Sequence, residues 1–143
     1  MAMSIKVRPK LVVRGADDAL QFYTRVFGGR LVQRYTVGDV VVQAELALGD
    51  GAVLVKEEDE ADPAPSTLGR PGVLLDVVTD DPDELAALAQ DNGATVVFPV
   101  ADQPYGARGG RVRDPFGHEW LLQTPLSMTP EQVQHALDQA AQG

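Results

Sequence analysis

The residues best suited to chemistry cluster in residues 111–124, RVRDPFGHEWLLQT, which hold one of two histidines, the only tryptophan and the acids Asp114 and Glu119. His118 follows the turn directly. A histidine there serves either as a general base or as a hydrogen-bonding group that orders the hairpin. Asp114-Pro115-Phe116-Gly117 has the chemistry of a tight turn: Asp caps it, Pro presets φ and Gly accepts a positive φ. The stretch therefore reads as a hairpin and a wall, with Trp120 as its ligand-facing group. A second candidate is the loop DQPYGARGG, residues 102–110. Tyr105 offers a ring and a hydroxyl, and Arg108 a forked donor for carboxylate or phosphate. The alternative is that both pin the loop to the sheet, through Asp114 or a C-terminal carbonyl. Glu45 shares a strand face with Gln43 by alternation. Facing an apolar cavity it would be a proton acceptor; on the outer face it is solvated, or paired with Arg111 or Arg113. His135 reads as a surface residue. No Ser–His–Asp set, phosphate loop or dinucleotide fingerprint is present, and GARGG lacks the Lys-Ser/Thr ending of a P-loop.

The elements that position these residues belong to a chain of 143 residues, for which one domain is the default. The absence of cysteine excludes a disulfide framework, a zinc knuckle and a thiol nucleophile. No stretch approaches a membrane span, and MAMSIKVRPK lacks an apolar signal core, so a soluble cytoplasmic protein is expected. A net charge of −9 disfavours nucleic acid and anionic membranes and would steer in a cationic ligand. Part of that acid sits in KEEDEADPAP, residues 56–65, which reads as a solvated linker.

That linker divides the chain in two. The first half opens with a strand, KVRPKLVV. A helix follows in GADDALQFYTRVFGG, with Ala19, Leu20, Phe22, Tyr23, Val26 and Phe27 on its buried side and Gly28-Gly29 as its stop. Three strands come next, with turns at Gly38-Asp39 and Gly49-Asp50-Gly51. The second half repeats the order: a strand in PGVLLDVVTD, a helix from N-cap Asp81 to Gly93, then strands around the Gly-rich loop. A shift of 65 superposes Val12-Val13 on Val77-Val78, Leu20 on Leu85, Gly28 on Gly93 and Val32 on Val97. A shift of 66 superposes Gly51 on Gly117, Leu54 on Trp120 and Val55 on Leu121. The predicted fold is α+β, a tandem βαβββ duplication, with module 1 at about 5–58, a linker at 59–70 and module 2 at about 71–125. Paired modules are expected to curve their sheets around a shared cavity. Thr129 and Gln132 form a capping-box pattern that opens a C-terminal helix at 129–141, expected to pack on the body or on a partner subunit.

The stretches GADDALQFYTRVFGG and VRDPFGHEW resemble the vicinal oxygen chelate superfamily, which includes glyoxalase I, bleomycin-resistance proteins and extradiol dioxygenases. PYGARGGRVRDPFGHEWLLQT followed by MTPEQVQHAL is most similar to its PhnB-like branch. The resemblance covers roughly residues 6 to 140. It implies paired βαβββ modules, a homodimer and a ligand cavity between modules, but no one reaction, because the fold hosts many. In metal-dependent members four ligands come from strands lining the cavity. Counted from the Phe22-Tyr23 pair, the repeat and the turn glycines, those places fall on Arg8, Val73, Val55 and Leu121, none a usable ligand. Arg8 in a former ligand place either binds an anion or pairs with an acid. The function expected is a metal-independent homodimeric binder of a small cationic or aromatic molecule, without cofactor, with ligand or drug sequestration as one version. Trp120, Tyr105, Phe98, Arg108 and Arg8 would form its ligand site, with Phe116 as a further stacking surface. The alternative is a metal-dependent glyoxalase-like lyase or isomerase, or a dioxygenase, holding a divalent ion through non-standard residues such as Glu45 and His118.

Overall fold

Apolar residues alternate along two sets of four strands, and each set closes one face with a helix. The computed structural model describes residues 3–143; residues 1–2, the start of the N-terminal stretch read above for a signal core, lie outside the described residues. The chain divides into two compact units, one ending at Pro71 and the other beginning at Gly72. The first holds β1 (Lys10–Val13), α1 (Ala16–Phe27), β2 (Arg30–Val37), β3 (Val40–Leu48), β4 (Gly51–Glu57) and α2 (Pro65–Leu68). The second holds β5 (Leu74–Val78), α3 (Pro82–Asp91), β6 (Thr95–Asp102), β7 (Arg108–Arg113), β8 (Glu119–Gln123) and α4 (Pro130–Gln142). Strand orders are β1-β4-β3-β2 and β5-β8-β7-β6, with the first pair of each sheet parallel and the rest antiparallel. This identical topology is the duplicated βαβββ unit that the sequence overlay predicts.

In the first unit α1 covers the sheet face bearing Ala44, Leu46, Val53 and Val55, and all four are buried together with Ala19, Tyr23 and Val26. Each valine or leucine among them contributes about 1.5–3 kcal/mol when fully removed from water. Gly28, in the left-handed region at φ 67°, ends α1, as its sequence position implies. The other end is capped over a long range. Gly15 has no capping side chain, so Glu57 at the end of β4 accepts from the backbone N–H groups of Gly15 and Ala16. A carboxylate there also meets the positive end of the helix dipole. In the second unit α3 starts at the predicted cap: Asp81 accepts from the Glu84 N–H at 3.0 Å. Its packing residues are small, Ala86 and Ala89.

Pairing corrects the sequence overlay. Leu46 faces Val53 while Val112 faces Trp120, and Leu11 faces Val55 while Val77 faces Leu122. The offset is therefore 66 for the first strands, 65 for β2 and β6, 66 for β3 and β7, and 67 for the last strands. The reason is the hairpin. Leu48 pairs with Gly51 across a two-residue turn, whereas Arg113 pairs with Glu119 across five residues. Aligning Gly51 with Gly117 missed that difference by one residue.

The acidic run is exposed over residues 59–63 and is held locally, since Lys56 Nζ holds Asp59 at 2.8 Å and Asp62 at 2.5 Å, and Ala64 and Pro65 are buried at the start of α2. The C-terminal helix has its capping box at Thr129 and Gln132, yet α4 buries none of its residues on the body of this chain.

Candidate functional site

With α1 and α3 on one side of their sheets, side chains of opposite parity define the other face. In the first unit, register places three rows there: Gln33, Glu45, Leu54 and Lys10; Tyr35, Gln43, Lys56 and Val12; and Arg30, Ala47, Ala52 and, one residue before the Pro9–Leu54 backbone bond, Arg8. Glu45 is ion-paired with Arg8, and Lys10 donates to Gln43 at 3.0 Å. Glu45 and Gln43 thus share a face, as alternation requires. The acid's partner is Arg8, and not Arg111 or Arg113. The carbonyl oxygen of Gln33, beside Glu45 across the ladder, is buried without a hydrogen-bond partner.

In the second unit the corresponding face carries Arg111, Arg113, Glu119, Leu121, Gln123, Asp76 and Phe98. Glu119 is buried, and its two oxygens take Arg111 at 3.3 Å and Arg113 at 2.8 Å. Charge pairing offsets the cost of removing that carboxylate from water. The Arg111 guanidinium stands 5.3 Å from the centre of the Phe98 ring, which is 58% exposed. Gln123 donates to Asp76 at 3.0 Å.

The residues named from sequence are separated by this division. Trp120 is only 2% exposed and lies on the α3 side with Val112 and Leu122. Its indole N–H donates to Asp114 Oδ2 at 2.9 Å, and Asp114 Oδ1 accepts from the backbone N–H groups of Phe116 and His118. Trp120 is therefore part of the hairpin's core, not an open wall. His118 is buried, and its backbone carbonyl accepts from Asp114 N at 2.8 Å, which closes the turn. Arg108 also points to the α3 side, where its fork engages both oxygens of Asp83 at 2.7 and 2.8 Å and one nitrogen reaches Asp102. The loop is pinned as one of the two readings held, but through Asp83 at the start of α3 rather than through Asp114. That guanidinium holds the Asp83 carboxyl below the usual carboxylate range. Tyr105 is half-buried in the same loop. Of the named set, Arg8 meets Glu45, and Phe98 meets Arg111.

Two of the four places weighed as metal positions change with the register. Val55 is fully buried against α1, and Val73 lies before β5. By the corrected offsets the repeat equivalents of Arg8 and Leu121 are Leu74 and Leu54. Arg8, Leu54, Leu74 and Leu121 offer a divalent ion no carboxylate, imidazole or amide oxygen. No group of three or more His, Asp or Glu side chains able to hold a metal ion occurs among the described residues. A divalent metal does not fit this donor set. A groove of about 460 Å³ between α1 and β2 lies on the helix side, lined by Leu20, Thr24 and Leu31 with the Asp17–Arg34 pair at its rim. Arg34 holds the Asp17 carboxyl below its usual range.

The missed residues are Lys10, Arg30, Gln33 and Tyr35. Glu45 and Gln43 fix the face by alternation, but Arg30, Gln33 and Tyr35 reach it through two register shifts in the β2–β3 ladder, and Lys10 through the parallel β1–β4 pairing, neither of which is local.

This architecture has known counterparts. The chain is 31% identical to the solved structure of TioX from Micromonospora sp. ML1, with a TM-score of 0.67 over 86% of this chain and all of that one. A fosfomycin resistance protein, FosX from Mesorhizobium loti, shares the fold at 17% identity and a TM-score of 0.61, covering 88% of this chain and 96% of its own. An uncharacterised protein of Mycobacterium bovis is 30% identical over 152 aligned positions, spanning the whole of both chains. The sequence profile of one superfamily matches residues 7–122. With that match over most of its length, this chain belongs to the Glyoxalase/Bleomycin resistance protein/Dioxygenase superfamily.

Proposed function

We propose that this protein is a metal-independent small-molecule-binding member of the superfamily, acting as a homodimer in the cytoplasm and sequestering its ligand rather than turning it over. One observation carries the reading. The helix-free face of each sheet combines exposed aromatic surface with fixed charge, Tyr35 near Glu45 and Arg8 in one unit and Phe98 over Arg111 in the other. Ligand sites pair apolar area with a few placed polar groups in this way. The places where metal-dependent members carry ligands hold Arg8 and leucines, which supports binding without a metal. Support for a dimer comes from the β2–β3 hairpin, whose Val32, Tyr35, Val37, Val40 and Val42 are all exposed. Contiguous apolar surface of this kind marks association. The run from Pro104 to Thr124 with the following MTPEQVQHAL supports placement in the PhnB-like branch.

Native mass spectrometry of freshly purified protein tests the reading. The expected result is twice the chain mass, no divalent ion, and a co-purifying or titratable small molecule bound without conversion. One tightly held divalent ion per chain, with metal-dependent turnover of a methylglyoxal–thiol adduct or a catechol, would overturn it in favour of an enzyme. Glu45 and His118 would then be the first residues to substitute.

A further inference from the structure

The net charge of −9 favours a cationic ligand at long range, but the face that would hold the ligand carries the opposite sign. On the helix-free face of the first unit the charged groups are Arg8, Lys10, Arg30 and Lys56, with Glu45 as the one acid in its three rows. Lys56 is taken by Asp59 and Asp62. Arg8 gives one guanidinium nitrogen to Glu45, which leaves further donors of its five. Lys10 meets a neutral amide, and Arg30 takes part in no ion pair among the described residues. Arg8 and Arg30 end one row, and between them lie only Ala47 and Ala52. Three strand spacings separate the row's ends, about 14 Å of backbone, which two arginine side chains can bridge from both sides. The small alanine floor leaves room above it for a group of phosphonate or carboxylate size. Arginine's planar fork suits such oxyanions. On the same side, the second carboxylate oxygen of Glu45, the one not paired with Arg8, offers an acceptor.

We infer that the ligand of this protein is an anionic organic molecule, its carboxylate or phosphonate held between Arg8 and Arg30 above Ala47 and Ala52. Lys10 lies one row away, and the free oxygen of Glu45 meets a hydrogen-bond donor on the remainder of the ligand. This rests on the binding-protein reading above and gives it a ligand class. The net charge then governs the rate of encounter, while the local cations govern which ligand stays.

The test uses four probes of one size: phenylphosphonate, benzoate, benzylamine and benzyl alcohol, titrated into the full chain by ¹H–¹⁵N NMR. Phenylphosphonate and benzoate are expected to bind at least about tenfold tighter than the other two, the difference a charge-assisted contact makes. Their shifts should centre on Arg30, Ala47 and Ala52. Arg30→Gln, at an exposed position, should weaken phenylphosphonate about tenfold. Arg25→Gln removes the same charge from α1 on the opposite side and should leave affinity within about twofold. Benzylamine or benzyl alcohol binding this face as well as the anions would overturn the anionic class and leave the binding-protein reading intact. Anion shifts centred elsewhere, or equal losses in both variants, would overturn the site. No saturable shift with any of the four would overturn both readings.

Discussion

Asp114 is the group on which the DPFG hairpin turns, and replacing it gives the sharpest test of how that hairpin is held. Asp114 is 3% exposed, and its carboxylate accepts from Phe116 N at 2.8 Å, His118 N at 3.1 Å and Trp120 Nε1 at 2.9 Å. Asp114→Asn can keep the oxygen that serves the two backbone groups, but turns an amide N–H₂ toward the indole N–H. One charge-assisted bond is lost and a buried donor is left unmatched, a cost of about 1.5–3 kcal/mol. Asp114→Ala removes both acceptor oxygens. The Phe116 bond is part-buried and the His118 bond buried, so about 1 kcal/mol each adds to the indole's loss, for roughly 4 kcal/mol in total. That is a large share of the stability of a typical domain. Trp120→Phe removes the donor and some volume, so a double-mutant cycle of Asp114→Asn with Trp120→Phe isolates the pair, with an expected coupling of about 1–2 kcal/mol. Equilibrium urea unfolding followed by far-ultraviolet circular dichroism measures each variant. An Asp114→Asn variant within about 0.5 kcal/mol of the parent would refute the account, because surface changes of no structural consequence fall in that range. A coupling near zero would refute it too.

Gly110→Ala should destabilise by about 1–3 kcal/mol in the same assay, because a methyl group there would meet backbone atoms of Phe98 and Val100 at 2.7 and 2.8 Å and force β6 from β7. Thr129→Ala should raise amide exchange along α4, where the lost cap costs the helix about 1 kcal/mol; since α4 buries nothing, the global urea midpoint should stay in place. For pH, Arg108 lowers the Asp83 carboxyl from its ordinary value of 3.8, so the pair contributes fully above that value and its contribution fades as pH falls below it. The stability difference between the parent and Arg108→Ala should accordingly be constant from neutrality to about pH 5 and shrink below about pH 4. A difference that grows on acidification would contradict the pairing.

How much of this was legible beforehand depends on the range of the interaction concerned. Helix spacing from Ala19 to Phe27, the Asp81 and Thr129 caps, and the turn glycines are local, since each depends on residues within a few positions. They fix the elements, and the repeated order of those elements fixes the βαβββ duplication. The face of Glu45 and Gln43 follows from the same local alternation. The sequence alone thus determined the fold class and the likeness to the superfamily.

Tertiary structure decided what each side chain meets. Trp120 is a large aromatic in a turn-flanked strand, and nothing local says whether it faces α3 or the other side. A single residue of register reverses every face, and only the ladder shows that one hairpin spans two residues and the other five. Arg8 with Glu45, Arg108 with Asp83 and Glu57 with the start of α1 are pairs between residues 25 to 42 positions apart. Opposite charges are plentiful in this chain, so charge alone names no partner. Backbone pairing brings particular ones within reach, and that same pairing sets Arg8 and Arg30 at the two ends of one row.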